Sequence, residues 1–150
     1  MAQAEAPALN PRALVLLVAL PAAVLALAAA CGGRPPEVEY TPPAGLPPGG
    51  PPGWPYVFSG GATAAGQSVP AGTPIFARIG SSRSLVAATL DGRYLNVVVG
   101  PTVREDLGHR ITFHLGDPEG ASVQAKETFA YELLSEIASF EMDLTFPRLP

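Results

Sequence analysis

Two histidines, His109 and His114, lie five residues apart, and three serines, Ser81, Ser82 and Ser84, flank Arg83. Serine with histidine is the pairing of nucleophilic hydrolysis, and closely spaced histidines are the usual start of a zinc site. Neither pattern is completed. A nucleophilic serine needs a base that is itself oriented by a third group, and no serine here sits in a strand–turn–helix elbow. Zinc takes three or four nitrogen or sulfur ligands, and no cysteine accompanies the pair. If 110–115 is extended, His114 points outward and His109 precedes the strand, so both read as surface residues. Asp117 and Glu119, in GDPEG, would offer calcium two carboxylates, but the twelve-residue loop spacing is missing and a solvated turn fits better. Glu105 and Asp106 are adjacent and read as exposed. The stretch GATAAGQS, Gly61 to Ser68, has the spacing of a phosphate-binding loop, with Gln67 in the lysine position. Such a loop must open a helix, and VPAGTP follows it, so a hairpin turn is expected instead. No catalytic, metal or cofactor-binding set is expected from these residues.

The one cysteine, Cys31, ends an uncharged apolar run from Ala13 to Ala30 that is preceded by Arg12 and broken by Pro21. That run is Ala-rich and at the lower edge of what spans a bilayer, which suits a cleaved signal better than a permanent span. Leu27-Ala28-Ala29-Ala30-Cys31 resembles the lipobox of bacterial lipoproteins, with Ala28 where Leu is commonest and Leu27 one place further back. The resemblance implies a diacylglycerol on the Cys31 thiol, cleavage in front of it and acylation of the new amine. An ordinary secretory cut after Ala30, or an uncleaved anchor, are the alternatives. All three place the rest of the chain outside the cytoplasm. Exported domains use cysteines in pairs, so an attachment point explains an unpaired one better than a nucleophile does. One acyl chain anchors only marginally, whereas two or three anchor firmly.

From Gly32 to Pro55 the chain holds 9 Pro and 6 Gly in 24 residues. Proline lacks the donor and fixes φ, so this stretch forms neither a helix nor a central strand. It reads as a semi-extended tether of about 3.1 Å per residue, with a proline-rich ligand for an aromatic groove as the alternative. The organisation expected is a signal peptide over 1–30, a lipid-anchored linker over 31–55 and one domain over 56–150. That domain carries 7 Lys and Arg against 10 Asp and Glu, which disfavours nucleic acid and anionic lipid as partners.

Within 56–150 the pattern has period two. Ile75, Ala77 and Ile79 alternate with Phe76 and Arg78; Leu95, Val97 and Val99 with Tyr94, Asn96 and Val98; Ile111, Phe113 and Leu115 with Thr112 and His114. In FEMDLTF, Phe140, Met142, Leu144 and Phe146 face one way and Glu141, Asp143 and Thr145 the other. Such runs bury one face and wet the other. Turns are expected at Ala65-Gly66, Ala71-Gly72, Gly80-Ser81, Asp91-Gly92 and Gly116-Asp117-Pro118. The Asp91-Gly92 pair suits a two-residue hairpin, after which Tyr94 would hold its ring at the sandwich edge with a wet hydroxyl. In KETFAYELLSEIA, Phe129, Leu133 and Ile137 recur at helical spacing, against which extended structure is weighed and preferred. The fold class is all-β, an antiparallel sandwich of about seven strands.

Phe58-Ser59-Gly60, Gly66, Val69-Pro70-Ala71-Gly72-Thr73, the strand Ile75–Ile79 and Thr89-Leu90-Asp91-Gly92-Arg93-Tyr94 together resemble the transthyretin-like modules grouped with carboxypeptidase regulatory-like and Cna-B-like domains. The resemblance implies a seven-strand Greek key that serves as a structural, spacer or adhesion module and rarely as a catalyst. Many Cna-B-like domains carry a Lys–Asn isopeptide crosslink. Here the domain's lysine and asparagine are Lys126 and Asn96, the first strand holds no lysine, and that crosslink is not supported. The function expected is a lipoprotein on the extracytoplasmic face of a bacterial membrane, held there by Cys31 and offering a surface to an envelope protein. The alternative is a carbohydrate- or small-ligand-binding domain with Trp54, Tyr56 and Tyr94 as stacking residues. Glu141 and Asp143, on one face, would meet a basic partner or simply keep an edge soluble.

Overall fold

The structure, a computed structural model, describes residues 40–150. The expected signal peptide, Cys31 and the start of the linker lie outside those residues. Ten strand segments follow one another along 41–150: β1 (Tyr56–Ala64), β2 (Gln67–Ser68), β3 (Pro74–Ile79), β4 (Ser82–Arg83), β5 (Ala87–Ala88), β6 (Arg93–Val99), β7 (Arg110–Gly116), β8 (Ser122–Ala130), β9 (Ala138–Glu141) and β10 (Leu144–Phe146). A single 3-10 turn, Arg104–Asp106, interrupts the β6–β7 connection.

The strands form two sheets. In the first, β1 is central, with β6 and β2 antiparallel to it on one edge and β9 and β10 parallel to it on the other. In the second the order runs β8, β7, β3, with β4 and β5 sharing the outer edge of β3, all antiparallel. The fold is thus a sandwich of two antiparallel-rich sheets.

The period-two runs explain the core. Ile75, Ala77 and Ile79 lie beside Leu115, Phe113 and Ile111 on the inner face of the second sheet, and Leu144 and Phe146 from β10 in the first sheet join them in the core. A further ring cluster fills the end near Tyr56: Phe58 meets Phe113 at 5.0 Å edge-on and Phe140 at 5.4 Å, and Phe129 meets Phe140 at 4.6 Å. Offset and edge contacts of this kind contribute about 0.5–1.5 kcal/mol each beyond simple burial.

Two hairpins close as their residue types require. Ala65 and Gly66 (φ 50° and 79°) and Asp91 and Gly92 (φ 39° and 75°) occupy the left-handed region in consecutive pairs, the conformation of tight two-residue turns. Leu90 and Arg93 exchange both backbone bonds across the second, at 2.7 and 3.2 Å. The glycine-rich stretch 61–68 is the first hairpin and opens no helix.

On β6 the alternation changes phase. Phe58 pairs with Val97 and Gly60 with Tyr94, so Ser59 opposes both Leu95 and Asn96. This is a β-bulge, with Asn96 at φ 54° and its N–H donated to Ser59 Oγ at 3.1 Å. Tyr94 therefore turns inward and Leu95 outward, reversing the expectation for those two residues. Segment 126–138 contains no helix: β8 runs to Ala130 and a loop follows, because Phe129 and Tyr131 are both drawn towards the core.

Candidate functional site

The tyrosines expected to touch a ligand are core residues. Tyr56 is 2 % exposed and Tyr94 0 % exposed. The Tyr56 hydroxyl donates to Glu132 O at 2.7 Å and accepts from Glu132 N at 3.2 Å, which pins the loop after β8. The Tyr94 hydroxyl donates to Met142 O at 2.6 Å, so it is not wet. Burial, and then the charges of Asp143, Glu127 and Glu141, push its ionisation well above the ordinary tyrosine range. Neither ring offers a face to a sugar, because each was drawn inside to fill space between the sheets. Trp54 is half-buried and precedes β1.

The Tyr94 bond explains why β9 and β10 are two strands. Met142 N donates to Ser59 O at 2.8 Å, Met142 O is taken by Tyr94, and the Asp143 carboxylate accepts from Gly61 N at 2.7 Å. A Cβ on Gly60 would lie 2.1 Å from Met142 O, so only glycine permits this crossing. Glu127 Oε2 accepts from Thr145 N at 2.7 Å and ties β8 to β10. Burial would raise the Glu127 carboxyl, but that bond, its own backbone N–H, the Thr145 hydroxyl and Lys126 hold it below the usual carboxylate range. Asp143 is thus engaged with backbone, while Glu141 stays exposed on the same face.

The polar cluster that sequence reasoning missed is built around Asp106. Expected to be exposed beside Glu105, it is 1 % exposed, whereas Glu105 is on the surface. Its Oδ1 accepts from Ser81 N at 2.6 Å and Ser81 Oγ at 3.0 Å; its Oδ2 accepts from Ser82 Oγ and from Thr102 N at 3.4 Å. Ser82 Oγ in turn accepts from Thr102 N at 2.9 Å. A Cβ on Gly80, at φ 51°, would sit 2.3 Å from Asp106 Oδ1. Burial alone would raise this carboxyl, but the hydrogen bonds from Ser82, Ser81 and Thr102 outweigh it and hold the group at about 2. A carboxylate that acidic is a poor base for the Ser82 hydroxyl. Its work is mechanical: it fastens the β6–β7 connection, which crosses from one sheet to the other, onto the β3–β4 turn. Ser84 plays a similar part, accepting from Ala77 N at 2.9 Å and donating to Leu85 O at 2.8 Å.

His114 lies on the outer face of the second sheet. Its ring stacks on Phe76 at 5.1 Å and 11°, its Nε2 is 3.0 Å from Thr112 Oγ1, and Arg78 covers the same Phe76 ring at 5.4 Å. Burial and then the Arg78 charge lower its proton affinity. Arg78 also donates to Pro118 O at 3.2 Å, and Arg83 pairs with Glu119 at 2.9 Å, so the β7–β8 loop is fastened down over this face. Phe76 is fully buried, with His114 and Arg78 against its ring, though it stands outside the main core cluster. Asp117 Oδ1 accepts from Glu119 N at 2.9 Å, the local bond of a solvated turn. His109 is exposed in the loop before β7. Among the described residues no group of three or more His, Cys, Asp or Glu is placed to hold a metal ion. No family model matches the chain, and no curated protein matches it.

Proposed function

We propose that the chain is a membrane-anchored extracytoplasmic lipoprotein, of bacterial type, whose β-sandwich presents a structural or protein-interaction surface at a distance from the bilayer. One observation carries the reading: the succession, along a single chain, of a lipobox-like stretch ending at Cys31, a Pro- and Gly-rich stretch and a small β-sandwich. The side-chain chemistry of the sandwich supports it. Asp106, Ser82 and Ser84 are committed to holding turns, Asp143 and Glu127 to joining strands, and the tyrosines to the core. The likeness to transthyretin-like modules points the same way, since those serve as spacers and adhesion units. The glycan-binding alternative relies on Trp54, Tyr56 and Tyr94, of which both tyrosines are buried.

The test uses the full-length chain made in a bacterium. The mature protein should partition into detergent and carry the mass of acyl chains on Cys31, and Cys31→Ala should abolish both. Deleting the first half of the Pro/Gly stretch, residues 32–43, should impair function in the cell without altering the sandwich's stability. Wild-type protein recovered unmodified from the medium would sink the reading.

A further inference from the structure

The last residues before β1 do not behave as free tether. Pro52 and Gly53 are buried, and Trp54 O accepts from the Tyr131 hydroxyl at 2.8 Å. A Cβ on Gly53 would lie 2.1 Å from that hydroxyl oxygen and 3.0 Å from Leu133 Cδ2. Only glycine lets the backbone approach so closely. Upstream the chain bends back: Gly50 N donates to Pro47 O at 2.9 Å, and the Cβ position of Gly45 lies 3.5 Å from Cζ2 of the Trp54 ring. Residues 45–54 thus form a loop folded around their own tryptophan.

The middle of this loop is open to water. Residues 47–51 are all exposed. The indole Nε1 of Trp54 is buried without an acceptor, a desolvated donor that regains a partner as soon as the ring meets water. A well-fitted contact at Gly53 is therefore set against an uncompensated one at Trp54. That balance suits an element that opens separately from the sandwich.

We infer that residues 41–54 are a releasable strap, clasped at Gly53–Trp54 on Tyr131, that sets how far the sandwich reaches from its point of attachment. Open, the fourteen residues 41–54 extend, and at about 3.1 Å each they add about 43 Å of reach. The consequence for reach rests on the tethered-module reading; the existence of the strap does not.

Trp54 is the chain's one tryptophan, so its fluorescence reports the clasp directly. The experiment compares full-length wild type, Gly53→Ala and Tyr131→Phe by Trp54 emission, by acrylamide quenching and by far-UV circular dichroism during urea unfolding. Wild-type emission should be blue-shifted and poorly quenched. Gly53→Ala should shift emission to that of the unfolded chain while the β-sheet spectrum is retained. Tyr131→Phe keeps the ring, removes one hydrogen bond and should raise quenching part of the way; it carries the test alone if Gly53→Ala fails to fold. In wild type, Trp54 should become accessible at lower urea than the sheet unfolds. The inference is overturned if wild-type Trp54 is already as quenchable as in urea, if the folded variants leave quenching unchanged, or if Trp54 and sheet unfold together. None of these outcomes depends on whether Cys31 is acylated.

Discussion

The donors on Asp106 are two hydroxyls and two backbone N–H groups, and that makes its charge a measurable part of stability. Its folded value, about 2, lies below the ordinary value of an unfolded Asp, so its contribution is complete above about pH 4. It is lost as the pH falls from there through 2. Over that window the wild type should lose about 2 kcal/mol more than Asp106→Ala in acid unfolding. At neutral pH Asp106→Ala leaves the backbone N–H and the hydroxyl of Ser81 without their acceptor and should cost about 3 kcal/mol by urea titration. His114 works with the same sign at higher pH. Its folded value is lowered by burial and by Arg78, so its neutral form is favoured in the fold and stability is complete above about pH 6.5. Below that the unfolded chain takes up the proton first and stability falls. His114→Gln should flatten the stability profile between pH 7 and 5 relative to wild type; an unchanged slope would show that the ring stacked on Phe76 is not what titrates.

At the scale of elements, β9–β10 and the β6 bulge are the informative pieces. Leu144 is buried in the core from β10, and Glu141 is exposed at the end of β9. Leu144→Asp places an unpaired charge in the core and should unfold a sandwich of ordinary marginal stability. Glu141→Lys should change it by less than about 0.5 kcal/mol. Equal effects in denaturant titrations would contradict the strand orientation. The bulge makes a second prediction. Asn96 occupies φ 54°, a region that asparagine tolerates and β-branched residues do not. Asn96→Val should cost about 1–3 kcal/mol, and Asn96→Gly far less. The order reverses if strand propensity outweighs backbone strain at this position.

For the whole molecule, two five-stranded sheets share one apolar interior, so the sandwich should unfold as a unit. The near-UV signal of Tyr56 and Tyr94 should melt with the far-UV sheet signal, and separate midpoints would show that the aromatic end and the Ile-rich end fold apart. The fold class was legible because alternation is a local property. Ile75, Ala77, Ile79 and Ile111, Phe113, Leu115 declare a buried face whatever they pack against, and Asp91-Gly92 favours positive φ before any partner arrives. The phase of β6 was not legible, since the extra residue at Asn96 has meaning only once Ser59 lies opposite to take its N–H. Asp106 read as a surface acid for the same reason. Its donors Ser81 and Ser82 are 25 and 24 residues away, and only the crossing of the β6–β7 connection brings them within reach. Tyr94 and Tyr56 carry a hydroxyl that suits either a wet edge or a buried carbonyl; Met142 O and Glu132 O decided between these. Residues close in sequence set pattern and turn by themselves. The burial of a polar group depends on the partner that folding delivers, and that is a property of the tertiary structure alone.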